Sequence, residues 1–392
     1  MTTTTDGATP AAAALVAGQP ADAAGLREVV REARAAKRAL RIVGRGTWLD
    51  AGRPVRDDAV DLSAAALAGI VEYVPGDLTL TARAGTSLAE IAAVTRAEGQ
   101  WLALAPWGGD GGSIGATLAT ATAGPFAHAL GLPRDVALGI EAVTGAGEIV
   151  RGGGRVVKNV AGFDLVRLMV GAWGTLGVLT EITVRLRALP ERDATLMLAL
   201  RGGADDAATL ARLSAPALHP IACEMLDAGM ARLAGLPGAC ALVRLSGNEE
   251  FVSDQAAKLA AIGDVVAAPD GTWERLRAAE PAGATTLRLS RRPSRVAEVW
   301  RAATSVASAT GGGAHLSVRR GVARCILPAA GDPTASLAAA SFGGTVRFER
   351  LPAEPWRTLA PSAVDDRLSR GIRRAFDPDL LLNPGILGES TA

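Results

Sequence analysis

The chain has 392 residues, 49% of them hydrophobic, and its 41 Lys and Arg against 40 Asp and Glu leave a formal charge of +1. This length suits two or more folded units with sizeable cores, and a balanced charge without long runs of one sign argues against a nucleic-acid partner. Three scattered cysteines (Cys223, Cys240, Cys325) and three scattered histidines (His128, His219, His315) offer no disulfide framework, iron–sulfur motif or metal-ligand spacing, so no metal is expected on the chain.

Residues 1–18, rich in Thr and Ala, are expected to form a mobile tail, without the basic and apolar regions of a signal peptide. Pro20-Ala21-Asp22 is placed to cap a first helix, in which Leu26, Val29, Val30, Ala33 and Ala36 recur at helical spacing, and Leu40 to Val43 then switches to a strand. Residues 70–74 and 78–83, joined by Pro75-Gly76-Asp77, predict a hairpin. Ser87 and Glu90 fit a capping box that opens a helix ending near Gly99. Residues 140–143 and 148–150 predict a second hairpin around Gly145-Ala146-Gly147. Beyond Pro190 a new strand begins at Thr195, and helices and strands alternate to about residue 350. The expected division is a domain over 19–190, a second over 191–350 and a closing segment over 351–392. No stretch of eighteen apolar residues occurs, so no direct membrane insertion is expected.

Three Gly-rich segments carry the chemistry. The first, Val43-Gly44-Arg45-Gly46-Thr47-Trp48, follows a strand and supplies closely set N–H groups suited to an anion. It is not a dinucleotide-binding G-x-G-x-x-G, since Leu49 stands where the third glycine would be, and by itself it equally suits a ligand-free turn. No G-x-x-x-x-G-K-[ST] occurs. The second runs from Pro106 through Trp107, Gly112, Ser113, Ile114 and Gly115 to Thr120, Thr122 and Gly124. Its small residues fit a backbone laid close to a planar ring, or a tightly packed buried helix. The third is Lys158-Asn159-Val160-Ala161-Gly162-Phe163-Asp164-Leu165, followed by Gly171-Ala172-Trp173-Gly174-Thr175-Leu176-Gly177-Val178.

In this order, together with Leu132-Pro133-Arg134-Asp135-Val136-Ala137-Leu138-Gly139, the segments resemble the FAD-binding domain of the vanillyl-alcohol-oxidase, or PCMH-type, flavoprotein family. The likeness covers about residues 20–190 and the closing Leu382-Asn383-Pro384-Gly385. It implies an α+β fold, with a two-subdomain PCMH-type FAD-binding domain followed by an α/β cap domain for substrate. It further implies that Val43, Gly44, Arg45, Gly46, Thr47 and Trp48 hold the pyrophosphate, and that Trp107, Gly112, Ser113, Ile114 and Gly115 line the flavin. Thr120 and Thr122 would continue that wall, and Gly174, Thr175, Leu176, Gly177 and Val178 would close the site. Relatives that attach FAD covalently use a His near the first loop; Trp48 follows Thr47 here, so non-covalent FAD is expected.

Within the family the chain is similar to the smaller flavin subunits of bacterial glycolate oxidases. That likeness implies a larger FAD subunit and an iron–sulfur subunit as partners, a small 2-hydroxy acid as substrate, and a cytoplasmic location, peripheral to the membrane through the partners. The paired histidines usual in the family's catalytic 2-hydroxy-acid dehydrogenases are absent. Oxidising a 2-hydroxy acid needs a base for the hydroxyl proton and a cation for the carboxylate. His315 and Arg288 are the candidates, against a loop histidine and a surface or structural arginine. Rival expectations are a self-sufficient FAD-dependent dehydrogenase acting on a D-lactate-like acid, and a flavin-free assembly subunit.

Overall fold

The computed structural model of the chain describes residues 18–154, 164–329, 342–360, 362 and 364–389. The expected tail up to residue 17, and residues 158–163 of the third Gly-rich segment, lie outside the described residues.

Helix α1 (Ala23–Ala35) starts where expected, with Asp22 Oδ1 accepting from Gly25 N at 2.7 Å. Its buried Leu26 and Val30 pack on Leu40 of β1 (Leu40–Val43) and Leu62 of β2 (Val60–Ser63), which pair in parallel. The predicted hairpin is β3 (Ile70–Val74) with β4 (Thr79–Arg83). The capping box closes on both sides, Ser87 N donating to Glu90 and Glu90 N to Ser87 Oγ, and opens α2 (Leu88–Ala97). After β5 (Gln100–Trp101) comes α3 (Ile114–Thr120), capped by Ser113. The second predicted hairpin is β6 (Ala137–Thr144) with β7 (Ile149–Gly153). With β8 (Gly177–Arg185) these strands form a five-stranded antiparallel sheet in the order β3-β4-β8-β6-β7.

The small-residue run forms one helix with two unlike faces. Ile114 and Leu118 of α3 are fully buried against Ile91, Ile140 and Ile182, while Ala116 and Thr120 face a cleft on the other side. Gly115 makes the approach possible: a Cβ there would fall 2.7 Å from the Ala84 carbonyl oxygen, to which Gly115 N donates at 2.8 Å.

Strand β9 (Arg187–Ala188) pairs with β5, and β10 (Arg192–Ala199) begins a second sheet. Its further strands are β11 (Ala222–Leu226), β12 (Cys240–Gly247), β13 (Val265–Ala267), β14 (Thr285–Ser290), β15 (Gly313–Ser317), β16 (Val322–Leu327) and β17 (Thr345–Arg350). They pair antiparallel throughout, in the order β13-β10-β12-β11-β15-β16-β14-β17. Alternation along the strands gives the sheet two different faces. Met225, Val243, Leu287, Leu316 and Cys325 pack under the helices Ala204–Leu213, Glu249–Ala260 and Val296–Thr310. Leu226, Leu242 and Ile326 face the other way and meet Ala105, Trp107 and Phe126 of the N-terminal half.

The chain ends by returning to its start. After helix Arg367–Phe376, both Asp377 carboxylate oxygens accept from Leu381 N and Leu382 N, and Leu382 bridges in parallel to Leu40. Asn383 Oδ1 accepts from Ile42 N and its Nδ2 donates to Trp173 O, both at 2.7 Å.

Candidate functional site

A cleft of about 560 Å³ opens where the loop after β1, the N-terminus of α3, the Trp173–Gly174 turn and the returning C-terminal segment converge. That volume lies in the range of cofactor and ligand sites. Gly44 lets the first loop lie against α3, since a Cβ there would stand 3.0 Å from Ser113 Oγ and 3.4 Å from Ala116 Cβ. Arg45 ties the first loop to the second, its Nε donating to Gly111 O at 3.0 Å. The third loop is fastened to α3 by Trp173 N, which donates to Ala119 O at 2.8 Å, and both Trp173 and Gly174 take positive φ.

Most of the expected cofactor residues come together here. Gly44, Arg45, Gly46, Thr47 and Trp48 line one side, Trp107, Gly112, Ser113, Gly115, Thr120 and Thr122 the next, and Gly174, Gly177 and Val178 the third. Four do not line the cleft. Val43 belongs to β1, where its neighbours Ile42 and Gly44 face the cleft instead. Ile114 and Leu176 point into the core shared with Ile182, and Thr175 is 2% exposed, its hydroxyl donating to Ala172 O. Strand and helix periodicity explains these misses, because a run of consecutive residues cannot all face one ligand.

Other lining residues carried no assignment from the sequence: Arg41, Arg53, Leu351, Trp356, Asn383 and Ile386. Leu382-Asn383-Pro384-Gly385 resembles the family's closing segment, but nothing local in it indicates that Asn383 reaches Ile42 and Trp173. The cleft suits a dinucleotide with acceptor oxygens. Trp48 Nε1, a donor only, is buried without a partner among the described residues, and the loop glycines leave backbone space where side chains would intrude.

Neither catalytic candidate lines the cleft. His315 is no loop histidine: it sits in β15, 1% exposed, with Nδ1 2.9 Å from Glu224 Oε2, while Ser317 Oγ donates to the other Glu224 oxygen. Its Nε2 is buried without a partner among the described residues. Trp107, which belongs to the cleft wall, stacks at a tilt on the His315 ring with centroids 4.6 Å apart. Arg288 projects from the same sheet face and pairs with Glu349 at 3.5 Å; burial lowers its pKa, with Glu349 opposing. Between them on β16, Arg324 lies 5.0 Å from the Trp107 ring centre and binds Glu349 at 2.7 Å and Glu280 at 3.3 Å. Burial acts to lower the Arg324 pKa, but the two carboxylates outweigh it and raise the net value. Burial likewise acts to raise the Glu349 pKa, and Arg324 and Arg288 bring it below the usual range. Arg350 extends the network to Glu280 at 3.5 Å and to Asp50 of the first loop at 3.0 Å. His128 is spent elsewhere, its Nε2 2.9 Å from Pro220 O. Among the described residues no group of His, Cys, Asp and Glu is placed to hold a metal ion, and no helix is long and apolar enough to cross a membrane.

Comparison with known proteins bears on this geometry. Residues 14–153 match the FAD binding domain family. The chain is 43% identical over 174 residues to the glycolate oxidase subunit GlcE of Escherichia coli (strain K12), which covers 44% of this chain and 49% of that protein. It is also 43% identical over 83 residues to a mitochondrial D-lactate dehydrogenase (cytochrome) of Arabidopsis thaliana, covering 21% and 15%. The chain thus spans about half or less of the length of these relatives. A crystal structure of p-cresol methylhydroxylase with substrate bound superposes with a TM-score of 0.73 at 15% identity, covering 94% of this chain and 88% of that one; at this identity the likeness is one of fold. The chain has a PCMH-type FAD-binding fold followed by a large antiparallel-sheet domain, and the match to the FAD binding domain family lies within its N-terminal part.

Proposed function

We propose that this chain is a flavin-bearing subunit, the smaller of two, of a glycolate-oxidase-type complex that oxidises glycolate, a small 2-hydroxy acid, to glyoxylate. The observation that carries this reading is the cleft itself, lined largely by Gly-rich segments that resemble the FAD-binding domain of the PCMH-type family, in a chain similar to a glycolate oxidase subunit. FAD, when bound, supplies a two-electron acceptor. This chain's residues supply the seat: a backbone anion nest at Gly44 to Thr47, a wall of small residues on α3, and Trp107 and Trp173 as large planar surfaces. Attachment is non-covalent in this reading, since no histidine, cysteine or tyrosine stands among the described residues that line the cleft. The partners are a larger FAD subunit and an iron–sulfur subunit. Substrate oxidation is assigned to the larger subunit, because His315 lies behind Trp107 and Arg288 is committed to Glu349.

A second reading is favoured by one observation, the buried His315 held by Glu224 beside Trp107. In it the isolated chain is a dehydrogenase of D-lactate-like acids, with His315 as base and Arg288 as carboxylate cation once Trp107 turns aside.

The deciding experiment is the visible spectrum of the purified chain, recorded again on the supernatant after acid precipitation, followed by turnover assays with glycolate and D-lactate. Flavin bands passing wholly to the supernatant, without turnover by the isolated chain, are the expected result. A protein colourless even with added FAD overturns the flavin assignment, and turnover by the chain alone favours the second reading.

A further inference from the structure

Four arginines line the first-loop end of the cleft: Arg41, Arg45, Arg53 and Arg56. Three are engaged. Arg41 donates to Leu49 O at 3.5 Å and lies 3.8 Å from Asp61, Arg45 donates to Gly111 O, and Arg56 pairs with Asp58 at 2.5 Å. The side chain of Arg53 makes no hydrogen bond or ion pair among the described residues, and its Nη2 is buried without a partner.

Packing nevertheless holds the Arg53 guanidinium in one place. It lies 5.5 Å from the Trp356 ring centre. Gly388 makes room on another side, where a Cβ would come within 2.7 Å of Arg53 Cζ. The carboxylate whose charge bears on it, Glu389, is itself occupied by Gly385 N at 2.9 Å and Leu387 N at 3.1 Å. Burial accordingly lowers the Arg53 pKa, with Glu389 opposing. A fixed cationic fork with a buried donor and no acceptor is costly to keep, and it becomes favourable when a ligand oxygen completes it.

We infer that Arg53 is an oxyanion anchor of the cleft, pairing through its guanidinium fork with a phosphate or carboxylate group that enters it. The oxyanion comes either from the phosphates of the dinucleotide or from the carboxylate of a second small molecule beside it. This rests on the cleft being a flavin site, and deepens that reading by adding a residue outside the Gly-rich loops.

The test compares the wild type with Arg53→Met, which keeps an apolar stem on Trp356, and Arg53→Lys, which keeps the charge but not the fork. FAD is titrated into the flavin-free proteins by flavin fluorescence. Oxalate is titrated into flavin-free and flavin-loaded proteins by the shift in melting temperature. A loss of about 10-fold or more in FAD affinity in Arg53→Met, partly recovered in Arg53→Lys, places the oxyanion on the cofactor. Unchanged FAD affinity with loss of the oxalate shift places it on a second ligand. Wild-type FAD affinity and an undiminished oxalate shift in both variants overturn the proposal, as does the absence of an oxalate shift in the wild type when FAD affinity is also unaffected. Should Arg53→Met fail to fold by circular dichroism, Arg53→Lys decides, with a several-fold loss expected. If the wild type takes up no FAD, the flavin reading fails, and the oxalate titration of the flavin-free chain still decides the role of Arg53.

Discussion

At the scale of single residues, the three cysteines illustrate how burial overrides intrinsic chemistry. Burial pushes the Cys223 thiol up to about 12 and Cys240 up to about 11, and raises Cys325 as well, from an ordinary value of 9.0. An acid whose folded-state pKa is raised contributes stability that is complete below the unfolded value and is lost as the pH rises towards the folded one. The window therefore runs from about pH 9 upward. At pH 10 each thiol costs about 1.4 kcal/mol of stability relative to pH 8, because the unfolded chain ionises and the folded chain does not. Urea midpoints at pH 8 and pH 10 check this, together with a thiol reagent expected to label the three cysteines only after unfolding. Rapid labelling of the native chain at pH 8 would contradict it.

Among elements, the returning C-terminal segment bears most directly on the cleft. Asn383 holds β1 through Ile42 N and the third loop through Trp173 O, at a φ of +45° that asparagine tolerates better than alanine. Asn383→Ala strands one donor and one acceptor and adds backbone strain, an expected loss of about 2–4 kcal/mol with weaker FAD binding. Asn383→Asp keeps the acceptor for Ile42 N and should fall between the two. Thermal melts and FAD titrations of the three proteins check this order, and wild-type behaviour of Asn383→Ala would show that the strap does not shape the cleft. Helix α3 makes the complementary point. Its small residues were compatible with a ligand wall and with a packed helix, and it packs Ile114 inward while Ala116 lines the cleft.

Across the whole molecule, one face of the second sheet meets the N-terminal half through Trp107 and Phe126 and through a buried charge network that lies against Trp107 and reaches Asp50. Arg324, 3% exposed, is its hub, compensating Glu280 and Glu349. Removing one member of such a network leaves unpaired buried charge, whereas neutralising all members removes the desolvation cost as well. Arg324→Met is therefore expected to lose about 3–5 kcal/mol, and the triple variant Arg324→Met, Glu280→Gln, Glu349→Gln to recover part of it, since Arg288 and Arg350 then lose their buried carboxylate partners. Chemical unfolding of the single and triple variants measures the difference. Equal destabilisation would show that packing against Trp107, not charge compensation, holds the junction.

Local patterns in the sequence determined the caps at Asp22 and Ser87, both hairpins, and the Gly-rich loops as the likeness of a flavin site, because caps, turns and close backbone approaches depend on neighbouring residues. Ordered matches to a known family supplied the fold. Which residues of those loops face the cleft was not legible: Ile114 and Leu176 turn into the core because α3 and the third loop each pack one side on the five-stranded sheet. Only the tertiary structure brought Arg53, Trp356 and Asn383 to the cleft, and only it set His315 in β15 on Glu224 behind Trp107, out of the cleft where a base was sought. These contacts join residues more than ninety positions apart in the chain, and their partners are fixed by strand register and by the return of the C-terminus to β1, neither of which any short stretch of sequence encodes.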